Sequence, residues 1–315
     1  MMISRKRGRI RVLIDDSERR RRDTLVRLLT AAGADAVAAG TRLRTILRQT
    51  MSADIVQRTV FIECDQTKTM RIFRWARLMR KRTVRYWVGS DVYFALTNER
   101  VRIMAKRINR LTHANIVVAP HLKDELAELG IESVYIPYPL EGLASMSLSP
   151  LPSKACVVCY CVPAKREFYG LDMVLEIARR MGDVRFQVVG DSGDGVRMPP
   201  NVHFLGIADN MDKVYEESSV LLRIVRHDGL SRMVLEALSR GRNVVYNYLF
   251  PHCLLARDVD ESVVALSKAF AAGVNVTGAQ YVRNEYADDR QSRALLSFYE
   301  NLRAAGRRAM RTSGS

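Results

Sequence analysis

Short apolar segments that read as strands alternate with amphipathic helices along almost the whole of this chain, and the alternation starts afresh halfway. Strands separated by helices line up in parallel rather than as hairpins, so the pattern restricts the chain to an α/β protein with parallel sheets. In the first half, strands are read at Ile10–Ile14, Ala36–Ala38, Ile55–Ile62, Val84–Val88, Ile116–Ala119 and Val134–Ile136. Helices are read at Asp23–Ala32, which Gly33 ends, at Val101–Leu111 and at Lys123–Leu129. The stretch Ser145–Ser153 is rich in Ser and Pro and poor in charge, the composition of a linker.

After it come strands at Ala155–Val162, Arg185–Val189, Val202–Leu205, Val220–Val225 and Asn243–Tyr246. Helices fill Leu171–Met181, Met211–Ser218, Ser231–Arg240, Ser262–Ala272 and Asp288–Arg308. The expected organisation is a doubly wound domain over 1–144, a linker over 145–153, a second such domain over 154–285, and a terminal helix over 286–315 packing back toward the first. Its tail, AGRRAMRTSGS, is expected to be a frayed helix end followed by disorder. Two such halves imply a central cleft between them, with ligands at the carboxyl ends of the strands.

A chain of 315 residues with 48% hydrophobic and 27% charged content can bury two cores. No apolar run approaches the length of a membrane span. The opening MMISRKRGRIRVLIDD reads as a first strand rather than a signal peptide, because Asp15 and Asp16 interrupt its apolar run. Five cysteines, an odd number, favour a reducing cytoplasm. Cys156, Cys159 and Cys161 fall within a strand pattern that alternates them between faces, so they read as core and not as metal ligands. Asp258-Val259-Asp260 lacks a flanking apolar strand and reads as the approach to a helix.

The most informative stretch for chemistry is HDGLSRMVLEALSRGRNVVY, residues 227–246. Gly229 loosens the loop, Ser231 can cap the first turn, and Gly241 suits the left-handed position after the last. Backbone N–H groups at such a helix start bind phosphate. Asp228 lies in the loop at that end, and Glu236 projects from the second turn, where it could accept hydrogen bonds from a sugar diol. The alternative reading makes both acids solvated or capping groups.

This segment resembles the signature of retaining glycosyltransferases of family 4, which have the GT-B fold: an acid, seven residues, a glutamate, then a Gly-x-x-Val-Val strand. WVGSDVY (87–93), ANIVVAPHLKDELAELGIESVYIPYPLE (114–141), YGLDMVLEIARRMGDVRFQVVGDSGDG and NVHFLGIADNMDKVYEESSVLLRIVRHDGLS extend the resemblance over most of the chain. It implies transfer of a sugar from a nucleotide-sugar donor to a carbohydrate or lipid-linked acceptor, with retention of configuration and with no cofactor or obligatory metal. Catalysis is then assigned to Asp228, Glu236 and Asp91. Donor binding falls to Lys165, Arg166, Gly190, Asp191, Gly229, Leu230, Ser231 and Glu236. Gly89, Ser90 and His121 lie on the acceptor side.

The chain departs from the family at four places. Asp228 stands where glutamate is usual, and DDSERRRRD replaces a Gly-rich loop after the first strand. There Asp15 is expected at the cleft edge, and Arg19–Arg22 as a solvated helix start or an anion-attracting rim. Val88 replaces a histidine, which leaves His113 and His121 as spare candidates. The basic pair that grips the diphosphate is shifted to Lys165 and Arg166, which could equally be solvent-facing loop cations. A leaving diphosphate accumulates negative charge, so some cation is required.

Net charge is +16, of which about +13 falls before residue 145. RIFRWARLMRKRTVRYW, residues 71–87, places Arg74, Arg77 and Lys81 at helical spacing with Trp75 among apolar neighbours. This suits peripheral docking on an anionic membrane surface, at the inner face for a cytoplasmic protein, or an ordinary surface helix. A pI near 10.0 also suits a polyanion-binding protein. No specific nucleic-acid partner is expected, since zinc-finger spacing, an RNP-type strand and a KH loop are all missing. A degenerate protein that binds a nucleotide sugar without turnover is the third reading.

Overall fold

The computed structural model describes residues 8–59 and 65–312. Its contacts divide the chain into two units. Unit 1 comprises the described residues up to Glu141 together with those from Asp288 onward, and unit 2 is Gly142–Ala287.

Unit 1 carries six parallel strands, β1 (Arg11–Asp16), β2 (Asp35–Ala38), β3 (Ile55–Thr59), β4 (Arg82–Trp87), β5 (Ala114–Val117) and β6 (Val134–Tyr135), in the order β2-β1-β3-β4-β5-β6. The helices are α1 (Arg19–Ala31), α2 (Leu43–Ser52), α3 (Asp65–Leu78), α4 (Ser90–Thr97), α5 (Glu99–Asn109), α6 (Pro120–Glu128) and, from the far end of the sequence, α12 (Asp288–Thr312). Ile46, Ile72, Phe73, Ala76 and Ile108 pack on Leu13 and Val56 to form a core with Leu43, Leu47 and Met104 at its margin. α12 packs on α1, with Leu295 and Tyr299 fully buried and the Tyr299 hydroxyl donating to Gln57 Oε1 in the middle of β3.

Unit 2 repeats the plan with β7 (Cys156–Tyr160), β8 (Arg185–Val189), β9 (Val202–Gly206), β10 (Val220–Arg223), β11 (Asn243–Tyr246) and β12 (Leu254–Leu255), all parallel, in the order β12-β11-β10-β7-β8-β9. Its helices are α7 (Leu171–Arg180), α8 (Met211–Glu216), α9 (Arg232–Ser239), α10 (Val259–Ala271) and α11 (Val276–Glu285). α7 buries Leu171, Val174, Leu175, Ile177 and Ala178, spaced as one stripe of a 3.6-residue helix, against β7 and β8. Its cap, Gly170, is left-handed, and a Cβ there would sit 2.5 Å from the Ile224 carbonyl oxygen, so only glycine fits.

Several expectations change. Ser145–Ser153, read as a linker, is held on unit 2: the Ser149 N–H donates to the Arg240 carbonyl (3.4 Å), and Arg242 donates to the Pro150 carbonyl (2.9 Å) and to Ser149 Oγ. Low charge in the segment let the arginines supply what a free linker would take from water. The strand expected to reach Ile62 is described only to Thr59, and Val60–Ile62 lie outside the described residues. The tail, read as frayed from 305, is helical to Thr312, and residues 313–315 lie outside the described ones. The basic helix over 71–87 stops at Leu78. Arg80 turns the chain at φ 53°, which puts Lys81 off the helix and starts β4 at Arg82. The Trp75 indole donates to the Leu47 carbonyl (2.9 Å), so it faces α2 rather than outward.

Cys156, Cys159 and Cys161 are buried in or beside β7, and burial pushes the Cys161 thiol up to about 11. Among the described residues no group of three His, Cys, Asp or Glu could hold a metal ion, and no single helix is long and apolar enough to cross a membrane.

Candidate functional site

Chain order in unit 2 runs outward from β7 through β8 to β9, then jumps back to β10 on the other side of β7. The two crossovers diverge there, and the loops leaving the carboxyl ends of β7 and β10 part. Such a switch point is where open α/β sheets take ligands. Every donor-side residue expected from the sequence lies in a loop at this edge or on α9: Lys165 and Arg166 after β7, Gly190 and Asp191 after β8, and Asp228–Ser231 after β10.

α9 starts at Arg232, one residue after the capping Ser231, whose Oγ accepts from the Val234 N–H (3.4 Å). Helical geometry leaves the N–H groups of Arg232 and Met233 without intrahelical acceptors. Gly241 closes the helix at φ 75°, as expected. Glu236 lies on the second turn with its side chain 13% exposed. It accepts from the Tyr215 hydroxyl (3.0 Å) and from Arg232 Nε (2.6 Å), which leaves half of a carboxylate's lone-pair sites open. Burial, and then Glu236 itself, push the Tyr215 phenol well above its usual range, so it stays a hydrogen-bond donor.

Asp228 is held harder. Its Oδ2 takes Arg223 Nε (2.5 Å) and the Tyr246 hydroxyl (2.9 Å), and its Oδ1 takes the Gly229 N–H (3.0 Å). Arg223 and Tyr246 are the last residues of adjacent strands and stand in register. Burial opposes the Arg223 charge, but Asp228 outweighs it and the guanidinium is held above its ordinary range. Arg223, Tyr246 and Tyr215 were not foreseen from the sequence. Tyr246 and Arg223 end apolar strands, where a polar or aromatic residue is the available signal.

Arg166 forms a two-point pair with the buried Asp191 (Nε–Oδ2 2.7 Å, Nη2–Oδ1 2.8 Å), and the Gly193 N–H completes that carboxylate (2.8 Å). The guanidinium holds the Asp191 carboxyl below its usual range. Lys165 is exposed and its side chain has no ion pair among the described residues. Gly190 (φ 93°) has no room for a Cβ, which would meet the Cys161 carbonyl and the Tyr160 ring.

In unit 1, Gly89, Ser90 and Asp91 form not a loop but the turn into α4, at the carboxyl end of β4. His121, the second residue of α6, follows the carboxyl end of the adjacent β5, so all four share one sheet edge. Asp91 is 2% exposed, and its Oδ1 accepts from the Val88, Gly89 and Val92 N–H groups, all at 3.0 Å. Its observed task is to brace the turn. Asp15, expected at the cleft edge, is the last residue but one of β1, buried and paired with Arg58; Arg85 lies across from Arg58 in register, its guanidinium 3.4 Å from the Trp87 ring centroid. The arginine run is the start of α1, where Arg21 grips Asp16 at the end of β1 (Nε–Oδ2 2.6 Å).

His113 lies at the opposite, amino edge of the sheet beside a cavity of about 470 Å³ lined also by Asn109, Asn115 and Ser133, so it is no substitute for the histidine replaced by Val88. The Thr83 N–H donates to its Nδ1 (3.1 Å), which fixes the neutral ring with its proton on Nε2. Burial, with Arg82 and Arg77 nearby, pushes it down to about 4. An unfolded chain takes up that proton below about 6.5, so stability falls as pH drops from there toward 4. The thermal midpoint of His113→Asn should therefore fall less than that of the parent between pH 7 and pH 5. An equal fall in both would exclude His113 as the source.

Solved structures have a similar fold. Sucrose-phosphate synthase from Thermosynechococcus elongatus superposes with a TM-score of 0.71 at 12% identity, covering 94% of this chain and 100% of its own. HepE from Anabaena, in complex with UDP, gives 0.63 at 12% identity over 97% and 99%. TarM gives 0.57 at 14% identity over 83% and 58%. The fold is GT-B. No family model matches the chain, and no curated protein does.

Proposed function

We propose that this protein is a glycosyltransferase that moves a sugar from a nucleotide-sugar donor to a carbohydrate or lipid-linked acceptor, with retention and without a metal. The observation that carries the reading is Asp228 in the loop just before α9 and Glu236 on the second turn of that helix, at the switch-point edge of a GT-B unit. Glu236 keeps lone pairs for the ribose hydroxyls, and the free N–H groups of α9 face the charge of a diphosphate. Asp228 orients the groups around the transferred sugar. Among the similar folds, HepE has been solved with UDP and with UDP-glucose, which makes uridine nucleotides the first to try. Charge from the helix end and side chains would stand in for a metal at the leaving group.

The acceptor would meet the Gly89–Asp91 turn and His121. Arg71 and Arg74 are exposed on α3 and Leu78 is 70% exposed at its end, so we assign unit 1 the docking of an anionic membrane surface, in cell-surface polysaccharide or glycolipid synthesis. The rival reading, donor binding without turnover, draws on Val88 in place of histidine.

The test is thermal stabilisation of the protein by UDP-, GDP-, ADP- and dTDP-sugars, followed by sugar release or transfer with the sugar that binds. Stabilisation by one base class with turnover is the expected result. Binding without turnover would select the rival, and no binding by any of them would overturn the donor site.

A further inference from the structure

We infer that Arg223, a strand residue outside the loop where a diphosphate grip was expected, is the fixed cation of unit 2 that receives the donor's diphosphate; the inference rests on the donor-site reading above. The cations near this edge differ in how much of their donor capacity is already committed. Arg166 is spent on both oxygens of Asp191. Arg232 is bound to Glu236 through Nε alone but its side chain is 48% exposed, and the exposed Arg226 is bound to Glu167. Lys165 is open but exposed, a hydrated charge on a flexible stem.

Arg223 differs from each of them. It ends β10, the strand beside β7, so it sits where the two loop sets part. Only Nε is used, on Asp228, and neither Nη1 nor Nη2 has a hydrogen-bond partner among the described residues. The side chain is 12% exposed, its guanidinium carbon lies 6.0 Å from the Tyr169 ring centroid, and the Tyr246 hydroxyl fixes the Asp228 carboxylate from behind. Two parallel N–H donors on a guanidinium that cannot turn match two oxygens of a phosphate. The partly buried setting strengthens that attraction, and little side-chain entropy remains to be lost on binding. Asp228 is then a positioning residue for Arg223 as well as a neighbour of the sugar.

The probe is the nucleoside diphosphate among UDP, GDP, ADP and dTDP that binds best, measured by calorimetry beside its parent nucleoside and beside inorganic pyrophosphate. In Arg223→Gln the diphosphate should bind at least about tenfold more weakly, the worth of one charge-assisted hydrogen bond, while the nucleoside stays within about twofold. Pyrophosphate binding should weaken in parallel. Arg223→Lys, which keeps a cation on Asp228 but loses the fork, should fall between, and it keeps the test open should the glutamine variant fail to fold. An unchanged ratio of diphosphate to nucleoside affinity would overturn the assignment, as would equal loss of both, which marks a merely structural residue. A parent protein that binds no nucleoside diphosphate would overturn the donor site itself.

Discussion

Asp228→Ala is expected to lose about 3–5 kcal/mol of stability, because it leaves the Arg223 guanidinium nearly buried and uncompensated. For a unit of this size that corresponds to a fall of roughly 10 °C in the thermal midpoint. The Tyr246 hydroxyl loses its acceptor in the same change. Asp228→Asn keeps one acceptor oxygen, enough for Tyr246 or for the Gly229 N–H but not for both, and should fall less. The double variant Asp228→Ala with Arg223→Met should recover part of the loss, since no orphaned charge remains. A midpoint for Asp228→Ala within a degree or two of the parent would show that the pair is not the buried, coupled unit described above. Donor turnover should vanish in the same variant, so binding and stability must be measured together.

Glu236→Gln is expected to behave in the opposite way. The amide oxygen still accepts from Tyr215, and Arg232, nearly half exposed, loses only a surface ion pair worth under about 1 kcal/mol. The thermal midpoint should therefore hardly move. Nucleotide affinity should nevertheless drop by roughly ten- to a hundredfold, because a charged acceptor for the ribose hydroxyls becomes a neutral one. Calorimetry with the favoured nucleotide decides it. Unchanged affinity would remove Glu236 from the binding site and leave it as a partner of Tyr215.

What could be read in the sequence was what short-range periodicity controls. The β-α alternation located the strands to within a few residues, and the glycine after α9 and the Ser231 cap were legible from the rules of helix ends. The helices missed, α2, α4 and α11, have 10, 8 and 10 residues, too few turns for a clear 3.6-residue pattern, and α4 begins directly at Ser90 with an unbroken apolar run. The acids of the candidate site could be named because they are close in sequence. Their partners could not: Tyr215 lies 21 residues before Glu236, and Tyr246 lies 18 residues after Asp228. Arg223 is only five residues from Asp228, but an arginine closing an apolar strand is ambiguous until the neighbouring strand end is known. The same limit explains Arg166, whose engagement with Asp191 across 25 residues turned an expected phosphate ligand into one half of an internal pair.

Unit 1 is completed by α12, which is separated from the rest of that unit by the whole of unit 2. During synthesis the ribosome therefore emits the six strands of unit 1, then an entire second unit, before the helix that covers α1 and meets Gln57 exists. Unit 2, continuous from Gly142 to Ala287, can finish folding while unit 1 still waits with an uncovered apolar face. Nascent chains stalled before Asp288 should accordingly show a protease-resistant second unit and a chaperone-bound first one. Loss of α12 would then strike the half of the molecule that was made first.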